Sequence, residues 1–175
     1  MWGDTRGVSS VIATVLLVAV VVVIAAVVGT YALELGDEQA ASPPVTVSHT
    51  TVPDGSEETI AVTLSAGEAV ETDKLYVIAS ADVDIGGAPG STTPADESYA
   101  SGLEKFTESS GGNPPQIGIG DTWEAGETIY LDPVGSVDGV TVSIYWNTEP
   151  VEGVNPGSVE GDDAYKIAEF TVNTD

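Results

Sequence analysis

The chain has 175 residues, enough for one domain of ordinary size and a short appendage. It carries 28 Asp and Glu against 4 Lys and Arg, a formal net charge of −24. That balance argues against nucleic acid, whose phosphates need cations, and equally against an anionic membrane surface. There is no Cys and a single His, His49, so a disulfide framework, a thiolate zinc site and a Cys nucleophile are excluded, and any imidazole chemistry would fall to His49.

The charge is segregated. Between Arg6 and Glu34 lie 27 uncharged residues, and Val15 to Val28 is an unbroken apolar run. A helix over this segment would be roughly 40 Å long, more than the ~30 Å hydrocarbon core of a bilayer. It is apolar on every face, as a helix in lipid or at the centre of a bundle must be. Ten of the 28 residues from Val8 to Leu35 are Val. In water that β-branching weakens a helix; in lipid the backbone has no other partner and the helix forms regardless. Arg6 precedes the segment and Glu34, Asp37 and Glu38 follow it, which predicts a cytoplasmic N-terminus and an exterior remainder. The apolar run is too long for an ordinary secretory signal. Residues 37–44, DEQAASPP, read as a linker, with Pro43 and Pro44 closing off any continuing helix.

From residue 45 the period changes. Alternating segments begin at Val45, Thr59, Leu75, Thr128, Val140 and Tyr165, separated by turn signals at Pro53-Asp54-Gly55, Glu124-Ala125-Gly126, Asp138-Gly139 and Asn155-Pro156-Gly157. The expected class is α+β: a long N-terminal hydrophobic helix, then an all-β sandwich or small barrel over residues 45–175. Residues 86–116, with six Gly and four Pro, read as a long excursion from the sheet, an exposed tip with one short helix near residues 99–108.

Little in the head points to catalysis. There is no Gly-x-Ser-x-Gly elbow, no phosphate loop and no dinucleotide fingerprint. His49 reads as an edge residue, and Trp123 and Trp146 as core or sheet-face aromatics. Asp82-Val-Asp84 would place two carboxylates on one strand face and Asp162-Asp163 lies in a loop, but in so acidic a chain adjacency alone does not define a calcium site. The expectation is no enzyme, no cofactor and no metal.

The run Arg6-Gly7-Val8-Ser9-Ser10-Val11-Ile12-Ala13, leading into an apolar helix that ends at Gly29-Thr30-Tyr31, resembles the archaeal type IV pilin family, with the composition of its salt-loving members. Ser10 stands where the family usually has Pro, and Ile12 where bacterial type IV pilins carry Glu. The segment at Gly120–Glu127 and the two last strands look like the β-domain of haloarchaeal pilins, more loosely. The resemblance implies a leader at residues 1–7 (a class III signal peptide), cut by a membrane prepilin peptidase between Gly7 and Val8, with Arg6, Gly7 and Val8 as the processing residues. It implies a transmembrane and polymerisation helix over residues 8–36, a linker at 37–44 and a head at 45–175. It further implies a homopolymeric surface pilus for adhesion, aggregation and biofilm formation, built from the membrane by an assembly ATPase and a platform protein. Ala25/Gly29 and Ala26/Thr30 are small residues four apart, suited to close helix packing. The alternatives are a single-pass anchored ligand-binding module and an archaellin, whose helix usually starts with a Gly-rich sequence unlike Val8-Ser9-Ser10-Val11-Ile12.

Overall fold

The computed structural model describes residues 6–34, 42–108, 116–152 and 164–174. The chain separates into two compact units, Met1–Ala41 and Ser42–Asp175. Most of the expected leader, most of the linker, the Asn155-Pro156-Gly157 turn and Asp162-Asp163 lie outside the described residues.

The first unit holds one helix, α1, Arg6–Glu34. From Val11 to Val28 it has the length and composition to cross a membrane, and none of that stretch is buried inside the protein. Its one described hydroxyl, on Thr14, donates to the Val11 carbonyl at 2.9 Å, so the polar atom is satisfied within the helix.

The second unit is a two-sheet sandwich. One sheet has the order β1-β2-β8-β5, formed by Val45–Asp54, Glu57–Gly67, Thr128–Pro133 and Val83–Gly86. The other has the order β10-β9-β4-β6, formed by Ala164–Thr171, Thr141–Asn147, Leu75–Ala79 and Glu104–Lys105. A small ladder joins β3, Val70–Glu71, to β7, Thr122–Trp123. All the named pairings are antiparallel, and neither sheet closes into a barrel. The six alternating segments read from the sequence each become a strand. The β1–β2 hairpin turns through Gly55, with φ 64°, where Asp54 faces Glu57.

Alternation sets the two faces. Ile60, Val62 and Leu64 of β2, Ile129 and Leu131 of β8 and Ile85 of β5 meet Leu75, Val77, Val142 and Ile144 of the other sheet in one core. Phe106 and Trp123 fill its end edge to face, with ring centroids 5.2 Å apart. His49 on edge strand β1 stacks on Phe170 of edge strand β10 at 4.1 Å, so this ring pair bridges the sheets at one open side.

The excursion departs from expectation. In its described part, residues 93–101 form a strap laid against the first sheet, and where a helix near residues 99–108 was expected there is a 3-10 turn at Glu97–Tyr99 followed by β6. The reason lies in Gly86 and Gly87. The strap backbone comes so close that a Cβ at Gly86 would sit 2.4 Å from the Ala95 nitrogen. Gly87 N–H donates to the Thr93 carbonyl and Ala95 N–H donates to the Gly87 carbonyl. Ala95 and Phe106 within it are buried while Tyr99 is exposed, so the described part of the excursion also contributes to the core.

Candidate functional site: an uncovered apolar helix and a buried carboxylate row

Two features of the structure stand out. The first is α1. Eighteen consecutive residues, Val11–Val28, are uncovered, and in water such a surface would drive association. Arg6, Gly7 and Val8 fall in its first turn and Ala25, Ala26, Gly29 and Thr30 near its end. Helical spacing puts Ala25 with Gly29, and Ala26 with Thr30, one turn apart on the same face.

The aromatics and His49 stand as structural residues. Trp123 is fully buried and its indole N–H donates to the Glu127 carbonyl at 3.1 Å. Trp146 leans on Tyr165 in the β9–β10 pair, and Tyr76 stacks on Tyr145 at 5.1 Å. The Asp82/Asp84 expectation is corrected: Asp82 is exposed and precedes β5, while Asp84 is within it and fully buried. The two do not share a strand face.

The partner of Asp84 is Asp132, directly opposite it in the β5–β8 ladder. Both lie on the outer face of the sheet, since their neighbours Ile85 and Leu131 face the core. Thr59 follows in the same row, one step along from the Ile60/Leu131 pair. All three are buried, at 0%, 8% and 1% exposure for Asp84, Asp132 and Thr59. The strap covers the two carboxylates with consecutive amides: Asp96 N–H donates to Asp84 Oδ2 at 2.7 Å and Glu97 N–H to Asp132 Oδ2 at 2.9 Å. Glu97 in turn accepts from Gly135 N–H at 3.2 Å. Asp84 Oδ1 and Thr59 Oγ1 have no hydrogen-bond partner among the described residues. Burial pushes both aspartates up to about 6, against the lowering effect of the two amides; neighbouring acids add to the rise. Sequence reasoning missed Asp132 because it is remote from Asp84 in the chain. The usable signal was a lone Asp at the end of an otherwise apolar strand.

Among the described residues, one apolar helix of membrane-spanning length precedes an acidic β-sandwich. Residues 6–47 match the family model for the N-terminal region of archaeal type IV pilins, so the N-terminal segment is similar to that of archaeal type IV pilins. The matched stretch runs from the start of α1 into β1. A comparison with curated proteins returns no match. The family is one of structural filament subunits, and the match covers the helix and the start of the head only.

Proposed function

We propose that this chain is a structural subunit of an extracellular type IV pilus, stored in the membrane and polymerised through α1. The observation that carries the reading is the fully uncovered apolar helix within a segment that matches the pilin family. A prepilin peptidase cuts between Gly7 and Val8 on the cytoplasmic side and leaves the helix in lipid. Assembly, driven by an ATPase at a membrane platform, moves the helix from lipid into a bundle of its copies. Both surroundings are apolar, so little hydrophobic free energy changes, and packing at Ala25, Ala26, Gly29 and Thr30 directs association. A head-to-tail repeat of this kind gives an open filament, with the acidic heads as its sheath. The filament serves adhesion and cell aggregation in a salty medium, where the head's self-repulsion is screened.

The test is the intact mass and N-terminal sequence of the protein in material sheared from cells. A chain that starts at Val8 and pellets as filaments is the expected result. A chain that starts at Met1 and stays with the membrane overturns the reading and leaves an anchored ectodomain.

A further inference from the structure

The head buries two carboxylates side by side with nothing positive against them. Asp84 is faced by Asp132, Asp96 and Glu108, and Asp132 by Asp54, Glu57 and Glu97. The head's lysines are engaged elsewhere: Lys74 with Glu71, Lys166 with Glu169, and Lys105 toward the Val151 carbonyl. Like charges directly opposite in a ladder are destabilising, at a Cβ separation of about 5 Å, and a buried charge without a counter-charge costs more. At neutral pH, where the carboxyls are ionised, a cation could answer their charge and also engage Asp84 Oδ1 and Thr59 Oγ1, which have no partner among the described residues.

We propose that the outer face of the β1-β2-β8-β5 sheet holds a divalent cation of the calcium type, bound by Asp84, Asp132 and Thr59 beneath the strap. Among the described residues no three acidic or imidazole side chains surround one point. The site therefore rests on two carboxylates and a hydroxyl, with the shell completed by carbonyl or water oxygens. Calcium accepts such a mixed, irregular oxygen set; zinc, with its tetrahedral nitrogen and sulfur ligands, does not. Two ionised carboxylates match a double charge. The ion would also fasten the strap, since Oδ2 of each aspartate already accepts a strap amide.

The experiment uses the full chain in uncharged detergent and about 1 M choline chloride, which suppresses diffuse attraction to the acidic surface. The probe is calcium chloride. Equilibrium dialysis with radiolabelled calcium should retain one ion per chain in the wild type and in D82N, and none in D132N or D84N. Saturating calcium should raise the melting temperature of the wild type by roughly 5 °C. Failure to retain calcium overturns the proposal, as does uptake that D132N leaves unchanged. If D84N does not fold, D132N and the D82N control still decide.

Discussion

Gly86 shows how much of the head depends on one missing side chain. Its Cβ would meet the Ala95 nitrogen at 2.4 Å and the Ala95 Cα at 2.6 Å, and neither is the far end of a flexible group. Gly86→Ala should cost about 1–3 kcal/mol by forcing the strap outward. Gly102→Ala, whose Cβ would meet only Asp82 Oδ1 at 3.5 Å, should be near neutral. Denaturant midpoints of the two variants check this. The aspartate pair makes a second prediction. Each carboxyl stands at about 6 in the folded chain against an ordinary 3.8, so between those values the folded state holds more protons than the unfolded one. The contribution of these groups is therefore greatest at the acid side and is lost as pH rises through about 6. With divalent ions chelated, melting should occur at a higher temperature near pH 5 than at neutral pH. The double variant D84N/D132N should flatten that slope, and an unchanged slope would assign it to the acidic surface instead.

At the scale of elements, the helix and the main strands were legible because local pattern decided them. No charge interrupts α1, and Val140–Trp146 or Tyr165–Val172 alternate cleanly. The strand β5 was not legible. Val83-Asp84-Ile85-Gly86 is four residues long, and its outward positions are a buried acid and a glycine, so neither its hydrophobicity nor its polarity alternates as a half-exposed strand should. The strap was hidden for the same reason: its glycines and prolines read as looseness, whereas Gly86 is there to admit a second backbone. The packing role proposed for Ala25, Ala26, Gly29 and Thr30 rests on the sequence pattern and depends on copies of the helix. Gly29→Leu should leave membrane insertion intact while blocking filament assembly, since a bulky side chain one turn from Ala25 holds neighbouring helices apart. Membrane fractionation and electron microscopy of sheared material report the two outcomes separately, and normal filaments from this variant would remove the role given to Gly29.

For the whole molecule, charge is what folding must overcome. A net −24 on 175 residues opposes compaction in dilute solution, and at about 1 M salt the Debye length falls to ~3 Å and most of that repulsion disappears. The head should lose cooperative near-ultraviolet ellipticity on dialysis into low salt and recover it in molar potassium chloride. A head that stays folded throughout would show that the core alone outweighs the repulsion.

The entry of the chain into the head has a mechanical consequence. The segment after α1 joins the sandwich at Val45, the first residue of β1, and β1 is held to β2 through ten facing pairs with Gly67 clamped under the Pro44 carbonyl. A pull taken along β1 is shared by the whole ladder at once, as in a lap joint under shear, and does not peel it bond by bond. In the filament proposed above, a subunit loaded from its N-terminal side would thus resist tension with its longest strand pair.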